Sequence, residues 1–335
     1  MRSIVLGASG FVGAAIVDEL IARGDEVVAI DRHITAGKAQ DTSNRAVKYF
    51  AGDITRRETL YPLFEGADEI YHLAAVLGTS ELDTAIRDSV EVNVVGTINV
   101  IEVAIKSHVK RMFLASKPHV WLNTYTITKH CAEQMARLYT RYHPIRISAL
   151  RYLNIYGPRQ KLYSVRKVLP VFAAQALRGH PLQVYGDGEQ TVDMIYSRDA
   201  ARLTVDFLRA DYDGGTPDCG TGDAITVNDV ARAVNEHYGN RAGILHVPMR
   251  RGETPGTQLV ADTRALRHAL GELTFTPWQT ALAETLDWYA KLDPHELDAA
   301  LTYHGLAQPH DMAWIPEPFT GAHDSDIYRM ASSEP

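Results

Sequence analysis

Short, almost wholly apolar segments alternate with longer amphipathic ones through the first half of the chain. Residues 3–7 (SIVLG), 26–30 (EVVAI), 47–52 (VKYFAG), 69–75 (EIYHLAA), 111–116 (RMFLAS) and 146–152 (RISALRY) read as strands. Between them, residues 11–23, 84–107 and 125–142 repeat their apolar positions at helical spacing. Strands that are apolar on both faces and joined by helices predict a parallel sheet covered on both sides, a doubly wound α/β architecture. Past residue 157 the alternation breaks into short helices, Gly-rich turns (YGDGEQ, CGTGD) and isolated strands. This predicts a first domain over 1–160 and a smaller α/β lobe over 161–292, set at the sheet's C-terminal edge. From Asp293 the chain turns polar and Pro-rich, and 293–335 reads as a tail lying on the surface or partly disordered. Its histidines, His295, His304, His310 and His323, follow no ligand spacing, so no metal is expected.

Charge and composition narrow the function classes. The 335 residues carry a net charge of -7 with no basic block, which speaks against nucleic acid or an anionic membrane as partner. No apolar run approaches the ~20 residues needed to span a bilayer. The N-terminus enters a strand directly, without a signal peptide's layout. Two cysteines, Cys131 and Cys219, give neither a disulfide framework nor a metal spacing and suit a reducing cytoplasm. Cys131 is expected to be a packed core thiol.

The first candidate chemistry is the turn Gly7-Ala8-Ser9-Gly10-Phe11-Val12-Gly13, which joins the first strand to the first helix. The first glycine permits a tight turn, the second lets backbone approach a pyrophosphate, and the third packs helix on strand. The helix then offers unspent N–H groups to the anion. Asp31, at the end of the second strand, is placed to accept hydrogen bonds from an adenosine ribose diol. A 2′-phosphate there would meet like charge, which favours NAD over NADP. Arg32 next door is the residue that could grip such a phosphate.

The second is Tyr125 and Lys129, four apart and therefore on one helix face, directly after the strand RMFLAS. A free phenol titrates near 10, and a neighbouring ammonium with an oxidised nicotinamide favours the phenolate. Moving it to neutrality takes roughly 4 kcal/mol. Lys129 would also hold the nicotinamide ribose. Tyr163 and Lys167 repeat the spacing, but in the crossover to the second lobe, where a surface or substrate-side role is expected.

These residues together resemble an extended short-chain dehydrogenase/reductase, in the NAD-dependent nucleotide-sugar epimerase and dehydratase family typified by UDP-galactose 4-epimerase. The matches are GASGFVG, Asp31, GDI at 52–54, HLAA at 72–75, NVVGT at 93–97 and YTITK at 125–129. They continue through LRYLNIYGPRQ at 150–160, YGDGEQTVDMIY at 185–196, CGTGDAITVNDVA from 219 and RRGETP from 250. The resemblance implies a Rossmann domain with Asp53 and Ile54 flanking adenine, Leu73, Ala74 and Ala75 lining the cofactor crevice, and Tyr152 by the nicotinamide. It further implies Asn154 and Arg250 on the diphosphate, with Tyr185 near the base.

Two departures stand out. Only eight residues separate Ser116 from Tyr125, fewer than is usual in the family, and the usual catalytic Ser or Thr falls on Lys117. Ser116, Thr126 or Lys117 is then left to serve the substrate oxygen. The missing stretch includes, in dehydratases, an acid–base carboxylate; no Asp or Glu occurs between 116 and 132, which argues against dehydration. Val192 stands where the family has a phosphate-binding arginine, with Arg159 and Arg198 as possible substitutes. The expected activity is C4 epimerisation of a UDP-sugar through a 4-keto intermediate, by a homodimer built on helices near 88–107 and 125–142. Val92, Val95, Ile98 and Cys131 are core or interface positions. UDP-hexuronate decarboxylation, ketoreduction of a nucleotide sugar, and an inactive NAD-binding regulator are the alternatives.

Overall fold

A computed structural model describes residues 1–34, 46–163, 165–210, 212–249 and 254–306. Six strands form in the segments read from the pattern: β1 (Arg2–Leu6), β2 (Glu26–Asp31), β3 (Val47–Ala51), β4 (Glu69–His72), β5 (Arg111–Ser116) and β6 (Arg146–Tyr152). With a two-residue edge strand, Asp218–Cys219, they make a seven-stranded sheet ordered edge strand, β6, β5, β4, β1, β2, β3. Every neighbouring pair is parallel. The chain winds outward from β1 to β3 and returns beside β1 as β4, so β1 and β4 flank the point where the winding reverses. Ligands of such sheets bind in the crevice outside the strand C-termini at that point.

Each face of the sheet buries its own helical layer. On one, Val5, Tyr71 and Phe113 pack with Val17 and Leu20 of the first helix (Phe11–Ala22) and Leu203 and Phe207 of helix Ser197–Arg209. On the other, Ile4, Ile70 and Met112 meet Val100, Ile101 and Val103 of helix Gly96–Lys106 and Ala132 and Ala136 of helix Thr124–Tyr142. Residues 84–107 are helical only in pieces: Ile86–Val90, then a wider π-type turn over Glu91–Val95, then Gly96–Lys106. A separate core, including Leu169, Phe172, Leu182, Val230 and Leu286, fills the second lobe.

The boundary expected at residue 160 is not where the layers divide. Helix Ser197–Arg209 and the edge strand at 218–219 lie beyond it in sequence yet complete the first layer and its sheet. Nor does a tail begin at Asp293. Helix Pro294–Tyr303 is capped by the Asp293 carboxylate, which accepts from the His295 backbone N–H at 2.9 Å. It buries Leu297, Ala300 and Leu301 in the second lobe's core. Residues 307–335, including His310 and His323, lie outside the described residues. Among the described residues, no helix is long and apolar enough to cross a membrane.

Candidate active site

The glycine turn has the cradle its spacing demands. Gly7 adopts φ 82°, and a Cβ there would come within 2.8 Å of the Ala74 backbone nitrogen. A Cβ on Gly13 would stand 2.1 Å from the Gly7 carbonyl oxygen, so the first helix approaches β1 only with glycine there. Gly10 caps that helix without a side-chain hydrogen bond, and the Ser9 hydroxyl is buried with no partner. Phe11 and Val12 form the helix's first turn. An unspent helix N-terminus beside an orphaned hydroxyl is what a pyrophosphate would complete, so these residues fit a dinucleotide.

Asp31 reaches back into the turn. One carboxylate oxygen accepts from the Ser9 N–H at 2.9 Å and the other from the His33 N–H at 3.2 Å. Arg32 is exposed, with its Nε 3.2 Å from His33. Asp53 is engaged locally, its carboxylate accepting from both the N–H and the hydroxyl of Thr55. Ile54 is buried, and its carbonyl accepts from Asn99 at 3.0 Å. Leu73, Ala74 and Ala75 leave the end of β4 half-buried, Leu73 donating its N–H to the Leu6 carbonyl. Asn93, carried in the π-type turn, pins the next residue: it accepts from the Val76 N–H and donates to the Val76 carbonyl, both at 2.9 Å. It also donates to Thr128 at 3.1 Å, tying the crevice wall to helix Thr124–Tyr142.

That helix starts where it does because Asn123 caps it, accepting from the Thr126 N–H at 2.9 Å. Tyr125 therefore falls in its first turn at the end of β5, and Lys129 follows on the same face with 4% exposure. Burial pushes the Tyr125 phenol up to about 12. Burial pulls Lys129 down to about 8, against the opposing carboxylate of Glu133. The phenol thus starts further from neutrality than a solvated one, and bringing it to pH 7 takes roughly 7 kcal/mol rather than 4.

Three side chains were candidates to serve the reacting oxygen. The Ser116 hydroxyl donates instead to Glu133 Oε2 at 2.9 Å, inside the fold. Glu133, 1% exposed, is gripped by Arg151 through contacts of 2.8 and 3.3 Å, with His119 Nε2 at 3.5 Å. Burial acts to raise this carboxyl, but bonds from Arg151 and Ser116 hold it below its ordinary range. A carboxylate does therefore stand beside Ser116, one residue beyond the stretch in which none was found. Being ionised and triply held, it anchors rather than donates protons. Thr126 is buried, and its Oγ1 accepts from Lys117 Nζ at 2.8 Å. Lys117 faces the ring of Tyr125, its Nζ 5.9 Å from the centroid, and burial followed by the charge of Lys167 lowers it to about 8.

Other candidate residues have partners within the protein. Tyr152 shares a 2.5 Å hydrogen bond with Thr204 and packs on Phe113, so its hydroxyl is spent in the core beneath helix Ser197–Arg209. Arg159 pairs with Asp18 on the exposed side of the first helix, and Arg198 with Glu284. Neither guanidinium replaces the arginine missing at Val192, which packs half-buried against the second lobe's core. Asn154 donates weakly to the Asp193 carbonyl at 3.4 Å. Tyr185 ends strand Leu182–Tyr185 with the Arg166 guanidinium 5.7 Å over its ring, a cation that pattern reading passed over. Tyr163 donates to the Glu296 carbonyl at 2.7 Å and so anchors helix Pro294–Tyr303. Cys131 is half-buried rather than packed in the core, and Cys219 is buried. Arg250 lies outside the described residues.

Comparison with known proteins places this geometry in a family. The NAD dependent epimerase/dehydratase family matches residues 3–219. A UDP-N-acetyl-alpha-D-glucosaminuronate decarboxylase of Bacillus cytotoxicus is 26% identical over 87% of this chain and 98% of its own length. The structure of a Thermotoga maritima UDP-glucose 4-epimerase with UDP-glucose superposes with a TM-score of 0.80 at 25% identity, covering 87% of this chain and 99% of that one. MoeE5 in complex with UDP-glucuronic acid and NAD gives 0.77 at 27% identity, covering 87% and 99%. The cofactor of the family is NAD, as the glycine turn and Asp31 lead one to expect from the sequence. The chain belongs to the NAD-dependent epimerase/dehydratase family.

Proposed function

We propose that this protein interconverts the C4 epimers of a nucleotide sugar, UDP-linked by preference, through a transient 4-keto sugar. The observation that carries the reading is the position of Tyr125 and Lys129, one helical turn apart at the end of β5, beside the crevice that the glycine turn opens. NAD, when bound, supplies a hydride acceptor that can give the hydride back. The chain's own residues do the rest. Gly7, Gly10, Phe11, Val12 and Gly13 cradle the pyrophosphate, Asp31 takes the adenosine ribose, and Asp53 and Ile54 flank the adenine. Leu73, Ala74 and Ala75 wall the crevice. Lys129 orients the second ribose and favours the phenolate, so that Tyr125 takes the proton from the C4 hydroxyl and later returns it. Asn154, Tyr185 and Arg250 hold the nucleotide end. Incubation with a panel of nucleotide sugars, without added reductant, is expected to yield the C4 epimer of one; unchanged sugars throughout would reject the reading.

Decarboxylation of a UDP-hexuronate is the second reading. It is favoured by the likeness to the B. cytotoxicus enzyme and by the added ammonium of Lys117 beside Tyr125. It begins with the same oxidation, and release of a pentose nucleotide with carbon dioxide in the same assay distinguishes it. We also propose a homodimer. Val95 at the helical turn before Gly96–Lys106, and Ile127 and Leu138 on helix Thr124–Tyr142, are apolar and exposed, as a paired-helix interface requires. Light scattering at a monomer's mass over all concentrations would reject it.

A further inference from the structure

Beside the Tyr125–Lys129 pair lies a second, half-buried ammonium. Lys117 Nζ donates to Thr126 Oγ1 at 2.8 Å and to the Pro118 carbonyl at 3.0 Å. An ammonium has three N–H groups, and the third has no acceptor among the described residues. The indole N–H of Trp121, whose ring lies 5.4 Å from the same nitrogen, is likewise buried without an acceptor. A buried indole donor left unmatched is costly, and beside an ammonium with an N–H to spare it calls for a ligand rich in oxygen. Of the nearby hydroxyls, Ser116 spends its hydrogen on Glu133, while Thr126 accepts from the ammonium and so stands beside Lys117 rather than in its place.

We infer that Lys117 is a catalytic residue, whose ammonium donates a hydrogen bond to the oxygen from which Tyr125 takes its proton. This rests on the function proposed above and deepens it. As the substrate O–H breaks, the proton passes to the Tyr125 oxygen, while the N–H bonds of Lys117 stay intact and its charge offsets the negative charge building on the substrate oxygen. On the return step the proton comes back from Tyr125 and the hydrogen bond relaxes. The charged and titratable groups around the site are Lys167, which opposes the charge on Lys117, Lys129 with the Glu133 carboxylate that favours its charge, and His119, on which Glu133, Arg151, His130 and Lys117 all act.

Two measurements on the NAD-bound protein test this. Lys117→Met is expected to lower kcat about 100-fold with KM little changed, the loss typical of one donor removed from a developing oxyanion. Lys117→Arg, which keeps the charge, is expected to recover part of it. The second readout is proton uptake on binding a nucleotide sugar, measured by calorimetry near pH 8 in buffers of different ionisation heat. An ammonium that gains an acceptor holds its proton more tightly, so the wild type takes up protons and Lys117→Met takes up fewer. Lys117→Met within about threefold of wild-type kcat, or with undiminished proton uptake, overturns the inference. If a nucleotide sugar binds but none turns over, the proposed reaction and the catalytic role of Lys117 fail, while undiminished or reduced proton uptake still decides whether Lys117 meets the sugar nucleotide. If none binds, both fall.

Discussion

The hydroxyl of Ser116 points at Glu133, 2.9 Å away, across the junction between β5 and the helix that carries Tyr125. A hydroxyl already donating to an ionised, buried carboxylate has no hydrogen left for a substrate. Ser116→Ala is therefore expected to leave turnover within about threefold and to cost roughly 1 kcal/mol of stability, the usual value of one hydrogen bond. Steady-state kinetics and urea unfolding on the same preparation check both. A loss of several hundredfold in kcat with stability intact would return Ser116 to the catalytic role expected of it.

Arg151 and Glu133 bind helix Thr124–Tyr142 to β6. Removing the cation strands a carboxylate that is 1% exposed, so Arg151→Ala is expected to lose about 3 kcal/mol. The pH sign follows from the lowered carboxyl. The contribution of Glu133 is complete above its ordinary value of 4.5 and is lost as pH falls through the lower folded value. Glu133→Gln should flatten the acid limb of unfolding free energy against pH, and an unchanged limb would contradict the assignment.

Both lysines are drawn down by burial to about 8. The unfolded chain binds more protons than the folded one between about 8 and the ordinary 10.5, so these two groups make stability rise with pH across that window. Lys117→Met removes a half-buried charge and is expected to stabilise the protein at pH 7 by roughly 2 kcal/mol. Thermal unfolding against pH checks this, with the variant losing part of the rise. Turnover runs the other way, since Lys129 works as a cation: in the wild type it should fall as pH passes above about 8.

Gly13→Ala puts a methyl group 2.1 Å from the Gly7 carbonyl oxygen, which forces the first helix off β1. NAD affinity is expected to drop more than about tenfold, because the helix N-terminus no longer meets the pyrophosphate. Thermal shift checks it: NAD at ~100 times its Kd should stabilise the wild type by about 2.7 kcal/mol and the variant far less.

How much of this was legible in the chain depends on how local each cause is. All six long strands and the crevice follow from apolar runs and one glycine turn, because strand burial and a tight turn are written in neighbouring residues. Glu133 was readable too: it continues the Tyr125–Lys129 spacing by one more turn, one residue past the stretch 116–132 that holds no Asp or Glu. Helix Pro294–Tyr303 carries an Asp-Pro start and a Glu in its first turn, a signal outweighed by the polar composition around it. Other partners had no local signal. Nothing near Arg159 names Asp18, and nothing near Tyr152 names Thr204, since those contacts join segments 141 and 52 residues apart. The two-residue edge strand at 218–219 is too short for any periodicity.

The measurement that bears most directly on the account is the turnover of Tyr125→Phe against the nucleotide sugar that the wild type converts. The substitution removes one oxygen and leaves the ring, so folding, NAD binding and sugar binding are expected to persist while kcat falls about 100- to 10,000-fold. Wild-type turnover in the phenylalanine variant would contradict the central claim that the Tyr125 hydroxyl carries the proton.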